Sequence, residues 1–116
     1  MTLPEFKRIV DAAKREIKEI TVADLKRMQH SGENFTLIDV RERDEQTKGT
    51  IPGAVTISRG ILERDIDQAT TNKDQPIVLY CGGGSRSALA AVNLKQMGFH
   101  NVMSLIGGWG AWEKEK

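Results

Sequence analysis

Cys81 is the only cysteine in the chain, and it opens the run Tyr80-Cys81-Gly82-Gly83-Gly84-Ser85-Arg86-Ser87. The residues before it, Pro76-Ile77-Val78-Leu79-Tyr80, form a short apolar run that reads as a buried strand. Those after it, Ala88-Leu89-Ala90-Ala91-Val92-Asn93-Leu94, read as a helix. A lone thiol thus stands where a strand stops and a helix begins. Three consecutive glycines let the backbone turn inward, so that several N–H groups can point at one spot. The helix start adds its unpaired N–H groups and the positive end of its dipole. Arg86 adds a full positive charge. Such surroundings lower a thiol pKa and hold an anionic reactant beside it.

Two other readings of this run are weaker. Free cysteine often behaves as a small buried hydrophobe, but that use suits the middle of a strand or helix, not a strand end followed by Gly82, Gly83 and Gly84. A nucleotide-binding loop would need G-x-x-x-x-G-K-[ST], which is absent. Other polar residues can join the thiol. Asp39 and Arg41 follow an apolar strand and read either as the rim of a pocket or as a local ion pair that shapes a turn. Arg59 follows another strand and either attracts an anionic donor or is a solvated surface charge. Arg86 either touches substrate or forms a structural ion pair. Ser87 either caps the helix, the simpler role, or donates to the sulfur.

Composition narrows the class of protein. With 116 residues the chain can build one compact domain. Lysine plus arginine is 17 and aspartate plus glutamate is 16. This balance gives no bulk attraction to nucleic acid or to an anionic membrane. A single cysteine cannot form an internal disulfide. No apolar run approaches the roughly 20 residues of a membrane span, and the charged N-terminal region does not read as a signal peptide. The expectation is a soluble protein of a reducing cytoplasm. His30 and His100 are isolated, so neither a metal centre nor a cofactor is expected.

The elements that must position the thiol follow from periodicity. Leu3, Phe6, Val10, Ala13 and Ile17 recur at helical spacing, which predicts an amphipathic helix over 3–18, with Thr2 and Glu5 as a capping box. Thr21 and Asp24 repeat that pattern and start a second helix, which breaks at Ser31-Gly32. Strands are predicted at 35–40, 54–58, 76–80 and 101–106, and helices at 41–48, 61–69 and from Ala88 to Gly98. Gly107-Gly108 leads into a short helix carrying Trp109 and Trp112, which read as core anchors. Alternation on this rhythm implies an α/β fold, a parallel sheet with helices on both faces and a ligand site at the carboxyl ends of its strands.

Four ordered motifs carry a resemblance. They are Asp39-Val40-Arg41-Glu42, Gly49-Thr50-Ile51-Pro52-Gly53-Ala54, Cys81 to Ser87, and Gly107-Gly108-Trp109 with Trp112. The chain resembles a single-domain rhodanese, a sulfurtransferase that forms a persulfide, over roughly residues 20–114. The resemblance implies a five-stranded rhodanese-like sheet over residues 20–116, preceded by a helical extension over 1–19. It implies that Cys81 takes a sulfane sulfur from a donor, thiosulfate or a persulfide on a small molecule or protein, and passes it to a thiol or to cyanide. The N–H groups of Gly82, Gly83, Gly84, Ser85 and Arg86 would stabilise the anionic sulfur. Neither nucleic acid nor membrane is an expected partner, and oligomeric state is open.

Two positions depart from the family pattern. Thr50 stands where histidine is usual, and the centre of the loop carries no cation. Competing functions remain. Cysteine phosphatases and arsenate reductases share the fold but place five residues between cysteine and arginine, where this chain has four, Gly82 to Ser85. A binding module without catalysis would more often lack the cysteine.

Overall fold

A computed structural model describes residues 2–115. Its five parallel strands are β1 (Lys18–Ile20), β2 (Thr36–Asp39), β3 (Val55–Thr56), β4 (Ile77–Tyr80) and β5 (Val102–Leu105), in the order β1-β5-β4-β2-β3. The central strand, β4, is therefore flanked by β5 and β2. Its register with β2 sets Val78 beside Leu37 and Leu79 beside Ile38.

Side chains alternate along β4 as the pleat requires. Ile77, Leu79 and Cys81 join one core cluster, with Ala90, Ala91 and Leu94 of α5 (Ser85–Gln96) and Leu62 of α4 (Leu62–Asp65). Val78 and Tyr80 join the other, with Leu25 of α2 (Val22–His30) and Trp112 of α6 (Gly108–Lys114). Each face of the sheet thus has its own apolar layer and its own helices. The alanines of α5 have no bulk to hold the helix away, so it lies close against the sheet.

The N-terminal helix α1 (Pro4–Glu16) buries Val10 and Ala13 and leaves Leu3, Phe6 and Ile9 exposed. Its start differs from expectation. Leu3 is the N-cap, without a side-chain cap bond, and Pro4 sets the first turn, so Thr2 and Glu5 form no capping box. Its end comes early because Ile17 turns extended and the next three residues become β1, paired to β5. The capping box expected at Thr21 and Asp24 is present, with Thr21 Oγ accepting from the Asp24 N–H at 3.1 Å.

Two other elements are shorter than their sequence pattern suggests. The helix after β2, α3, covers only Arg43–Gln46, because Arg41 is drawn into the interior by Asp39. The stretch 61–69 is divided among a 3-10 turn (Arg59–Ile61), α4 and a second 3-10 turn (Ile66–Gln68). No helix among the described residues is long and apolar enough to cross a membrane.

Candidate active site

Cys81 follows the last residue of β4, and its carbonyl and sulfur face two different helix starts. Gly84 is the N-cap of α5 at φ +106, a left-handed conformation that costs glycine little. With no side chain at the N-cap, the sulfur itself takes the place of a capping acceptor. Cys81 Sγ accepts the Gly84 N–H at 3.1 Å and the Ser87 N–H at 3.4 Å, and lies 3.5 Å from Ser87 Oγ. Ser87 is therefore not the helix cap; its hydroxyl points inward from the first turn, between the thiol and Ser104 Oγ, which is 2.8 Å away.

The other face of the loop is pinned from α6. The Trp109 N–H donates to the Cys81 carbonyl at 2.8 Å and the Gly110 N–H to the Gly82 carbonyl at 3.1 Å. These bonds fix the carbonyl side of the loop, and the Gly83 amide, which shares a peptide group with the Gly82 carbonyl, acts on the sulfur. The close approach needs glycine at 108: its φ is +52, and a β-carbon there would collide with the Cys81 carbonyl. Gly83, by contrast, is exposed, and a β-carbon there would meet open space. Ser85 is half-buried at the first position of α5.

Burial opposes ionisation of the Cys81 thiol and is the largest single influence on it. The Ser87 hydroxyl and N–H, with the Gly84 and Gly83 amides, together outweigh it and hold the pKa below the ordinary thiol value. The site is thus suited to a thiolate with only 1% of the residue exposed.

Arg86 forms a two-pronged ion pair with Glu45 of α3, at 2.7 and 3.0 Å. That pairing holds the Glu45 carboxyl down to about 2. The guanidinium passes over Gly82, where a β-carbon would lie 3.1 Å from Arg86 Nη2. Asp39 and Arg41 form a buried pair, with Arg41 Nη2 to Asp39 Oδ2 at 2.8 Å. Arg41 also donates to the Gly49 carbonyl at 2.6 Å and lies 4.6 Å from the Trp109 ring centroid. The pair thereby ties the end of β2 to the helix that pins the loop. Arg59 is turned to Glu63, both oxygens at 3.0 Å, and Glu63 also accepts from Asn93 at 2.7 Å.

The structure so brings together Cys81, Gly84 and Ser87 at the sulfur, sets Arg86 beside the loop, and directs Asp39, Arg41 and Arg59 to partners of their own. Glu45 and Ser104 were not singled out from the sequence. Glu45 carries a weak signal, as the N3 residue of a capping box starting at Glu42. Ser104 shows only as one hydroxyl in the apolar strand Val102-Met103-Ser104-Leu105.

Residues 21–115 match the family described as rhodanese-like domain. The chain belongs to the rhodanese family. It is 41% identical over 100 residues to the Bacillus subtilis protein named "Putative sulfurtransferase YtwF", covering 86% of this chain and 94% of that one. It is 33% identical over 97 residues to the thiosulfate sulfurtransferase GlpE of Shewanella oneidensis, covering 84% and 93%. A solved structure from Rhodopseudomonas palustris, described as a protein of unknown function and "Possible Tyrosine Phosphatase", superposes with a TM-score of 0.85. It is 36% identical, and the match covers 99% of this chain and 94% of that one.

Proposed function

We propose that this protein is a sulfurtransferase that carries sulfur as a persulfide on Cys81. The observation that carries this reading is the cradle of the sulfur: two backbone N–H groups and a buried hydroxyl converge on Sγ at the start of α5. In the first half-reaction the thiolate attacks the outer sulfur of the donor. An S–S bond forms to Cys81, the donor's own bond to that sulfur breaks, and its electron pair leaves with sulfite or with a thiolate. In the second, an acceptor nucleophile, a thiolate or cyanide, attacks the outer sulfur, and the Cys81 thiolate leaves with the bonding pair. No net redox change occurs in the protein. The exposed Gly83 lip, which the surroundings leave open, suits a donor or acceptor larger than thiosulfate.

A phosphatase reading is the competitor, since the relative from Rhodopseudomonas palustris bears that description. Four residues separate Cys81 from Arg86, and the guanidinium is committed to Glu45; both features disfavour a ring built around a tetrahedral oxyanion. On the sulfurtransferase reading, residues 20–116 form the catalytic domain, residues 1–19 are an extension of it, and the protein works in a reducing compartment such as the cytoplasm. The deciding experiment incubates the protein with thiosulfate or glutathione persulfide and measures its intact mass. A gain of one sulfur, removed by reductant and absent in Cys81→Ser, is expected. Turnover of an aryl phosphate without any such gain would overturn the reading.

A further inference from the structure

We propose that Ser104, in the middle of β5, is a positioning residue that aims the Ser87 hydroxyl hydrogen at Cys81 Sγ. Ser104 is fully buried among apolar strand neighbours, where a hydroxyl without a partner is costly. It lies opposite Leu79 in the register with β4, and among the described residues it bonds Ser87 Oγ at 2.8 Å. Ser87 Oγ in turn lies between Ser104 Oγ and Cys81 Sγ. Three polar atoms thus stand in a row from the inside of the sheet to the thiol.

Counting hydrogens gives the row a direction. Each serine hydroxyl has one hydrogen to give. If Ser87 gives its hydrogen to Ser104, the sulfur receives none, and the Ser104 hydrogen is left in an apolar interior without an acceptor. If Ser104 gives its hydrogen to Ser87, both serines are satisfied and the Ser87 hydrogen is free to meet the sulfur. The second arrangement is the one a thiolate needs. The first accompanies a neutral thiol that donates its own S–H to Ser87. Ser104 therefore penalises one thiol arrangement, and it strengthens the thiolate arrangement by polarising the hydroxyl that touches it.

Among the described residues, the ionising groups nearest the sulfur are paired elsewhere. From α5 the sulfur is faced by Arg86, which is paired with Glu45 of α3 and also faced by Glu42. From β2, Asp39 lies beside Tyr80 in the register, on the other side of the sheet, and is paired with Arg41. The contacts from α6 and β5 are a backbone amide and the serine itself.

The inference rests on Cys81 being the sulfur carrier, but its test needs no sulfur donor. As the single cysteine, Cys81 reports its own ionisation through the pH dependence of alkylation by iodoacetamide. Ser104→Ala should raise the midpoint by about half a pH unit, and Ser87→Ala by more, about one unit. The double variant should match Ser87→Ala, because Ser104 acts only through Ser87. Ser104→Thr and Ser104→Val have the same shape and separate the hydroxyl from packing: threonine should keep the wild-type midpoint and valine should raise it. The proposal is overturned if Ser104→Ala leaves the midpoint unmoved, if the two serine effects simply add, or if threonine and valine behave alike. A protein that accepts no sulfur from any donor would defeat the sulfurtransferase reading and leave these midpoints as they are.

Discussion

Glu45 and Arg86, distant in sequence, meet through two parallel hydrogen bonds beside the cysteine loop. The cation that the sequence offers to an anionic donor is therefore already shared with a carboxylate. Long-range attraction for a dianion such as thiosulfate is weakened accordingly. Glu45→Gln keeps the shape of the contact and removes its charge. It should lower the KM for thiosulfate several-fold, by roughly threefold at low salt and less at high salt. Steady-state kinetics at two ionic strengths check this, and an unchanged KM would show that Arg86 does not act on the donor.

The same pair has a pH signature in stability. Its carboxyl is held down to about 2 in the folded protein, below the ordinary unfolded value of about 4.3. The stabilisation is thus full above the unfolded value and is lost as the pH falls toward the folded one. Both side chains are about a third exposed, 35% and 34%, so the contribution is under about 1 kcal/mol. Urea unfolding should show wild type ahead of Glu45→Gln at pH about 6 and the gap narrowing by pH about 3. A gap that widened on acidification would contradict the ion pair.

Ionisation of Cys81 should fall below the free thiol value of about 8.5, because its amide and hydroxyl donors outweigh burial. Sulfur transfer from a persulfide donor should rise with pH through that lowered midpoint and then level off. Cys81→Ser should reduce transfer by more than about a thousandfold while the protein still folds. Alkylation and transfer measured over the same pH range test both statements.

The neutral centre of the loop makes a donor preference testable. Gly83 is open on its side-chain face, so Gly83→Lys adds a cation without a clash. The variant should use thiosulfate with a KM lower by about tenfold and gain little with glutathione persulfide. Wild type should favour the persulfide. An equal gain with both donors would point to a change of loop shape rather than of charge.

Gly108 is required by its neighbours. Gly108→Ala places a β-carbon against the Cys81 carbonyl at a backbone angle of φ +52, at a cost of about 2 kcal/mol or more. The melting temperature should drop by roughly 10 °C, and the Cys81 alkylation midpoint should rise as the loop amides are displaced. A variant with wild-type melting and wild-type alkylation would mean that α6 can yield without moving the loop.

Local chemistry was readable from the chain, and long-range pairing was not. A strand, three glycines and a helix in succession place the thiol, and the same pattern places the sheet. Ser87 was ambiguous because a serine near a helix start resembles a cap, and only the left-handed Gly84 shows that the cap lies three residues earlier. The strand Lys18–Ile20 escaped notice since three residues carry too little periodicity, and its neighbours continue the helical stripe of α1. Glu45 pairs with Arg86 across 41 positions, and Ser104 reaches Ser87 across 17. Contacts of that kind are set by the register of β2, β4 and β5 and have no local spacing to betray them.

The amides that fix the loop carbonyls belong to Trp109 and Gly110, which the ribosome adds long after Cys81. During synthesis the thiol therefore exists before the frame that shapes it. Until α6 docks, nothing from that helix braces the Cys81 and Gly82 carbonyls, while the donors that reach the sulfur, Gly84 and Ser87, already belong to the start of α5. The chain thus emerges with the sulfur's own donors first and receives the brace for the loop's outer face last.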